Sequence, residues 1–411
     1  MNNSPPEHAP LVQFPVMDDC LQIGGIALTR LVQRVGSTPF YAYDRKKITE
    51  RIALLRQHLP EEILLHYAMK ANPMPAVVQH LAGLVDGMDV ASAGEMKMAL
   101  DTTLSPEQIS FAGPGKKEHE LHSAIAAGVV LNLESEQEME LVAQLGEYLG
   151  IVPNVAIRVN PNFELRSSGM KMGGGSKPFG IDAERVPNML IRLNLFGLNF
   201  VGFHIFSGSQ NLNATAIQEM HAKTFQLGIR LAEHAPSPVR LFNIGGGFGV
   251  PYFPGDQALN IAAIGENLQR LMPQVKRQLP DARIAIELGR YMVAEAGVYV
   301  CRVLERKVSR GQVFLVTDGG LHHHLAASGN FGQVIRKNYP VTIGNKVQGA
   351  EKEVVSVVGP LCTPLDLLAD QMLMAKASAG DLVVILQSGA YGLTASPTAF
   401  LSHPIPIEVL V

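Results

Sequence analysis

The chain has 411 residues, with 34 Lys and Arg against 37 Asp and Glu, for a formal net charge of −3. At 47% hydrophobic and 17% charged it can build a sizeable core, and it carries no basic excess for a nucleic acid or an anionic membrane surface. No apolar run approaches the roughly 20 residues that span a bilayer, and three cysteines (Cys20, Cys301, Cys362) without a CxxC pair point to a reducing, cytoplasmic setting.

This length corresponds to about two to three domains. Met1-Asn2-Asn3-Ser4-Pro5-Pro6 lacks a positive region followed by an apolar run, so residues 1–10 are expected to be a disordered tail and not a signal peptide. Leu21, Ile23, Ile26 and Leu28 mark a short strand within residues 11–36, expected to join a distant sheet. After Phe40-Tyr41-Ala42-Tyr43, Asp44 caps a helix from Arg45 to about Leu59, which Pro60 ends. Apolar runs then alternate with 3.6-period segments. The runs are Ile63 to Met69, Gly87 to Ala91, Ile109 to Ala112, Val129 to Leu133, Val155 to Val159, Phe200 to Phe206, Arg240 to Ile244 and Ile284 to Leu288. Eight such runs predict a (β/α)8 barrel over residues 37–295, with a doubly wound open sheet as the alternative. Beyond residue 295, Val298-Tyr299-Val300, Val313 to Val316, Glu353 to Val358 and Leu382 to Leu386 are β-rich with few helical periods between them. They predict an all-β domain formed by residues 296–411 together with 11–36.

Nearly every polar or glycine cluster falls just after a predicted strand, which in such a barrel is the catalytic end. His66-Tyr67-Ala68-Met69-Lys70-Ala71-Asn72, stopped by Pro73, delivers one lysine to the tip of an apolar strand. Desolvation there lowers an amine's pKa and lets it form a Schiff base with an aldehyde. The alternative is a lysine snorkelling at a strand end. Gly245-Gly246-Gly247-Phe248-Gly249 lets backbone N–H groups approach an anion such as phosphate, the alternative being a plain turn. No Gly-Lys-Ser/Thr follows, so it is not a P-loop. Glu287 ends an apolar run and needs a cationic or protonatable partner, which an ion pair with Arg158 or Arg290 would also supply. Arg290, near the glycine loop, is placed to assist the same anion. His204 is a site residue or a satisfied core histidine, Ser207 a donor to an anion, and Cys362 a reactive or a structural thiol. His322-His323-His324, read as a strand, would point to alternate faces with no second ligand set nearby, so no metal is assigned.

Together, Tyr67-Ala68-Met69-Lys70-Ala71-Asn72, Asp89-Val90-Ala91-Ser92, Phe203-His204 with Ser207-Gly208-Ser209, Gly245-Gly246-Gly247-Phe248, Glu287-Leu288-Gly289-Arg290-Tyr291, Cys362 and Gly389-Ala390-Tyr391-Gly392 form an ordered set. The set resembles the fold-type III pyridoxal-phosphate enzymes, the family of ornithine, diaminopimelate and arginine decarboxylases, over about residues 37–400. The resemblance implies an α/β architecture like that of alanine racemase, a (β/α)8 TIM-like barrel followed by an all-β C-terminal domain. It implies pyridoxal 5'-phosphate as cofactor, with Lys70 as the Schiff-base lysine, His204 stacked on the ring and Glu287 at the pyridine nitrogen. Ser207, Gly246, Gly247, Arg290 and Tyr391 match phosphate-binding positions, and Asp89 and Arg158 join the cofactor-binding set. Lys70, Cys362, His204 and Glu287 are the implied catalytic residues. Cys362, with Asp366 on the same loop, would come from the other subunit of a head-to-tail homodimer with shared active sites.

The residue after Cys362 departs from the family's basic-amino-acid members, which carry an acid there to meet a distal ammonium. This chain has Thr363, which turns the expectation away from ornithine, lysine and diaminopimelate. Arg336 is then the expected contact for a negatively charged or polar substrate tail, with Thr363 and Asp366 completing the substrate set. Met172-Gly173-Gly174-Gly175-Ser176-Lys177-Pro178-Phe179-Gly180 is similar to the subgroup found with exosortase systems and to decarboxylases acting on glutamyl groups tethered to an acyl carrier protein. The expected enzyme is a carboxy-lyase of amino-acid metabolism that removes the α-carboxylate of an amino acid or of a conjugated or carrier-bound derivative, with no nucleic-acid or membrane partner. The alternatives are a diaminopimelate or other basic amino-acid decarboxylase, an amino-acid racemase, and a non-catalytic cofactor-binding homologue. Racemases of this fold place an arginine against the ring nitrogen, so Glu287 favours decarboxylation, and Lys70 and Cys362 together argue against a non-catalytic chain.

Overall fold

A computed structural model describes residues 9–164, 170–171, 173–331, 333 and 336–411. The chain divides into two compact units. One comprises Glu50–Val250 and Ala258–Met292; the other comprises the N-terminal stretch up to Thr49, Pro251–Gln257 and Val293–Val411.

The first unit is a closed barrel. Its eight strands are Ile63–Ala68, Gly87–Val90, Ile109–Phe111, Val130–Leu133, Asn154–Asn160, Asn199–His204, Leu241–Gly246 and Arg283–Leu288. All pair in parallel, strand one lies between strands eight and two, and Leu131 opposite Val155 joins strand four to strand five to close the ring. The open-sheet alternative is thereby excluded. Helices cover the outside, so the strands are buried on both faces and read as continuous apolar runs. Ile181–Asp182 adds a short parallel strand beside strand five.

The second unit is built on one long strand, Gly297–Ser309, which pairs with Gln312–Thr317, Leu382–Ile385 and Phe40–Tyr43. Lys352–Val358, Leu367–Ala375, Val341–Ile343 and Ile407–Leu410 extend the sheet. The sequence reading puts Phe40–Tyr43 in the barrel segment. Its strand partners are Gly297–Ser309 and Ile407–Leu410 instead, so this strand belongs to the β unit. Asp44 follows and accepts from Lys47 N at 3.1 Å to cap the helix Arg45–His58. Residues 11–36 also differ from expectation. Val16–Met17, Cys20–Ile23 and Ile26–Ala27 form their own three-stranded antiparallel sheet rather than joining a distant one. Leu21, Ile23, Leu28 and Leu31 then pack into a core with Phe40, Val298, Val300 and Val384. Of the tail expected over residues 1–10, all but Ala9 and Pro10 lies outside the described residues, and Ala9 is buried.

Four buried histidines make the fold sensitive to acid. His221, on the helix Ala214–Ala232, is fully buried with both ring nitrogens lacking a hydrogen-bond partner among the described residues, and desolvation brings its pKa down to about 4. Desolvation likewise brings His322 to about 3, His323 to about 4 and His324 to about 3. Each is neutral in the fold but takes up a proton near pH 6.5 when unfolded, so the stability of the neutral form is full above that pH and lost as pH falls toward 3–4. The thermal midpoint, followed by circular dichroism, is expected to drop by several degrees or more between pH 6.5 and pH 4. A midpoint constant over that range would show that these side chains are not desolvated in solution.

Candidate active site

The barrel's candidates gather at the C-terminal ends of its strands. Strand one stops at Ala68, and Met69-Lys70-Ala71 is a 3-10 turn. Tyr67 donates its hydroxyl to Asn72 O at 2.8 Å, and Asn72 Oδ1 accepts from Met74 N at 3.0 Å, which fixes the exit of the turn. Lys70 therefore stands two residues beyond the strand. Its side chain is 41% exposed rather than desolvated by burial, with Nζ 4.0 Å from Glu287 Oε1 and 5.6 Å from the Phe206 ring. The lysine and the carboxylate come together although they are distant in sequence, because strand eight pairs with strand one and Leu288 faces Tyr67.

Glu287 and His204 are both buried, and His204 Nε2 meets Glu287 Oε2 at 2.9 Å. Burial alone would raise the Glu287 pKa. The hydrogen bond and charge of His204, followed by the charges of Lys70 and Arg158, outweigh it and hold this carboxyl well below the usual carboxylate range. The direct partner of Glu287 is thus a histidine rather than Arg158. Arg158, on strand five, is buried and paired with Glu134 at 2.6 Å, and it lies over the Phe179 ring. Asp89 is buried on strand two, with Oδ2 3.3 Å from His66 Nδ1 and Oδ1 3.5 Å from Asn243 Nδ2. Arg290 is half-buried just after strand eight.

Two loops form a cup beside this cluster. Gly245 and Gly247 adopt positive φ (72° and 78°), and a Cβ on Gly247 would fall 2.2 Å from Gly208 O. A Cβ on Gly246 would fall 2.0 Å from Glu287 O, so only glycine lets strand seven and its loop approach this closely. Asn211 N donates to Gly247 O, and Gly249 N to Asn211 O, each at 2.9 Å, zipping the loop after strand six to the glycine loop. Gly173 N donates to Ser207 O at 3.2 Å, Gly174 N to Asn160 Oδ1 at 3.0 Å and Gly180 N to Glu134 Oε2 at 2.8 Å, so the glycine segment before Ile181 is fastened to the same strand ends. Met172, which opens that motif, lies outside the described residues.

The remaining candidates belong to the β unit. Cys362 is an exposed free thiol, with half-buried Thr363 beside it. Asp366, expected to face substrate, is 3% exposed and accepts from Leu321 N at 2.6 Å and Leu361 N at 2.8 Å. Two backbone donors in tight turns need an acceptor, and this carboxylate fills that need, so it is not directed at a substrate. Arg336 donates to Ser328 O, Asn338 Oδ1 and Leu367 O at 2.7–3.2 Å. Tyr391 is half-buried, has positive φ (53°) and lies 6.2 Å from the Phe331 ring. His322, His323 and His324 lie in a turn rather than on a strand.

Residues 45–294 match the family model described as "Pyridoxal-dependent decarboxylase, pyridoxal binding domain". The chain belongs to this family. It is a pyridoxal-phosphate-dependent decarboxylase, a carboxy-lyase. It is 39% identical over 393 residues to the L-glutamyl-[BtrI acyl-carrier protein] decarboxylase of Niallia circulans, covering 93% of this chain and 90% of that one. It is 31% identical over 408 residues to the diaminopimelate decarboxylase of Aquifex aeolicus, covering 98% and 93%. The diaminopimelate decarboxylase of M. jannaschii in complex with L-lysine superposes with a TM-score of 0.88 at 26% identity, covering 97% and 92% of the two chains.

The decarboxylase's own residues fit the cofactor. The Ser207 and Ser209 hydroxyls are buried and have no hydrogen-bond partner among the described residues, as does His204 Nδ1. Buried polar atoms of this kind call for a partner, and phosphate oxygens held beside the glycine loop would supply one to the two hydroxyls. Sequence reasoning misses Glu134 and Asn243, and takes His66 and Ser209 only as parts of longer motifs without a role. His66 and Asn243 carry a signal of their own, since each interrupts an apolar run as Glu287 does.

Proposed function

We propose that this decarboxylase acts on an acidic or amide-linked aminoacyl substrate, most specifically a glutamyl group carried on a protein, and that two chains share each active site. One observation carries the substrate reading: the Cys362 turn offers no carboxylate to a distal ammonium. Thr363 stands at the position after the cysteine, and the turn's own acid, Asp366, is buried against backbone donors. An unpaired ammonium next to such a turn would lose its hydration without gaining a counter-charge. The likeness to a decarboxylase of a carrier-bound glutamyl group supports the same reading. The three unbridged thiols, two of them buried, support a reducing cytoplasmic setting.

When bound, pyridoxal phosphate supplies an electron sink for the electrons of the broken Cα–carboxylate bond. The chain's residues do the rest. Lys70 would hold the cofactor through its aldehyde. Glu287, ionised, would favour a proton on the ring nitrogen, and His204, bonded to Glu287, would orient it and cover the ring. Ser207, Ser209, Gly246, Gly247, Arg290 and Tyr391 would hold the phosphate, with Asp89 and Arg158 supporting from the barrel wall. Cys362 would return a proton to Cα. CO2 release should be fastest, by at least about a hundredfold in kcat/KM, from glutamyl-loaded carrier protein compared with diaminopimelate, lysine and ornithine. If diaminopimelate is the best substrate, the Thr363 argument fails and the second reading, supported by the diaminopimelate decarboxylase relatives, replaces it.

The shared site is tested by mixing. Lys70→Ala and Cys362→Ala chains should each be nearly inactive alone. A mixed dimer has one native site and one doubly defective site, so with half of the dimers mixed, activity should return to about a quarter of wild type. No recovery, with subunit exchange confirmed by mass, would mean that each site is built from a single chain.

A further inference from the structure

The trihistidine turn and the buried Asp366 have no place in the chemistry above, yet they meet at one point. Cys362 lies at the tip of the turn that joins the strands Lys352–Val358 and Leu367–Ala375. Within the turn, Thr363 N donates to Leu361 O at 2.8 Å, Asp366 N to Thr363 O at 3.2 Å, Leu365 N to Thr363 Oγ1 at 3.3 Å and Gly359 N to Asp366 O at 3.1 Å. The Asp366 carboxylate adds a link to a second turn. Its Oδ2 accepts from Leu361 N, the residue before Cys362, and its Oδ1 from Leu321 N, the residue before His322. Gly320 and Gly359 make room for it, since a Cβ on either would fall 2.2–2.3 Å from its oxygens.

The second turn is itself anchored. His323 Nδ1 meets the Tyr299 hydroxyl at 3.1 Å, and Nε2 meets Pro404 O at 3.0 Å. His324 Nε2 meets Ser388 Oγ at 2.9 Å. Tyr299 belongs to the central strand of the sheet. The exposed thiol is therefore referenced to the sheet through one carboxylate and a platform of neutral imidazoles.

We propose that Asp366 is the positioning residue of Cys362, clamping the cysteine turn onto the trihistidine turn so that the thiol is held where the reaction needs it. This rests on the reading of Cys362 as a catalytic residue. The alternative, that Asp366 merely holds the β unit folded, gives different results.

In the holoenzyme, Asp366→Asn keeps the shape but turns an amide N–H toward one of the two backbone donors and loses one charge-assisted bond. kcat should fall roughly tenfold to a hundredfold, the factor corresponding to such a bond, while cofactor affinity stays close to wild type and the thermal midpoint falls by no more than a few degrees. The rate of Cys362 alkylation by iodoacetamide, with Cys20 and Cys301 protected by burial, should change severalfold. In the Cys362→Ala background, Asp366→Asn should cause no further loss of kcat, because it acts only through the thiol. Gly320→Ala displaces the same carboxylate with its charge kept, and serves if Asp366→Asn does not fold. A wild-type alkylation rate in a folded variant, or losses that multiply in the double variant, would overturn the proposal. Full turnover by Cys362→Ala would instead refute the catalytic reading of that thiol, and the alkylation rate would still decide the clamp.

Discussion

Lys70→Ala protein should fold, lose the visible absorbance of bound cofactor and decarboxylate slower by several orders of magnitude. The side chain stands on a 3-10 turn outside strand one and is 41% exposed, so its removal leaves no core cavity and the thermal midpoint should move little. Lys116 is no substitute. Its side chain, in the loop after strand three, is buried with its ammonium committed to Glu138 at 2.7 Å, Gly113 O at 2.7 Å and Asn132 O at 3.0 Å. Lys70 is the amine that stands beside Glu287, where a ring nitrogen and an aldehyde carbon would lie on one short molecule. Absorbance and turnover are separate readouts. Loss of both is the expected result, and retention of the visible band with normal turnover would remove Lys70 from the mechanism.

The barrel was legible because parallel strands buried on both faces leave uninterrupted apolar runs, and each run opens into a loop whose glycines or polar residues mark the catalytic end. Phe40–Tyr43 was misplaced for the same reason. Its burial makes it look like any barrel strand, and its partner Gly297–Ser309 lies at the far end of the chain, where no local pattern reaches it. Leu367–Ala375 escaped notice because Asp370 and Gln371 break its apolar run, while Asn338 and Ser356 absorb their polar groups in the fold. In the site, residue types were readable but pairings were not. Glu287 visibly needed a partner, yet that the partner is His204 follows from strands six and eight flanking strand seven, alternate strands whose inward side chains share a layer. Asp366 shows the converse limit. A carboxylate next to a reactive cysteine reads as a substrate contact until its burial and its two backbone donors are known.

Glu287→Gln should retain bound cofactor, with its visible absorbance, yet lose decarboxylation by several orders of magnitude. Gln preserves the shape, and its carbonyl oxygen still accepts from His204 Nε2, so the register between strands eight and one is kept. What it removes is charge. In the native protein His204, Lys70 and Arg158 overcome the cost of burying Glu287 and hold it ionised across the neutral range. That anion is what keeps a proton on the ring nitrogen, and a neutral amide cannot. Without that proton the bound cofactor would be a poorer electron sink, so the barrier would rise although binding is unchanged. The loss should therefore fall on kcat rather than on cofactor affinity. The acid response separates the two forms as well. A carboxylate whose folded pKa lies below its unfolded value of about 4.3 contributes stability above that pH and loses it as pH falls. The wild-type midpoint should accordingly decline more steeply below pH 4.3 than that of Glu287→Gln. Near-native turnover in a variant that still binds cofactor would mean that protonation of the ring does not depend on Glu287, and the electron-sink argument for this site would fail.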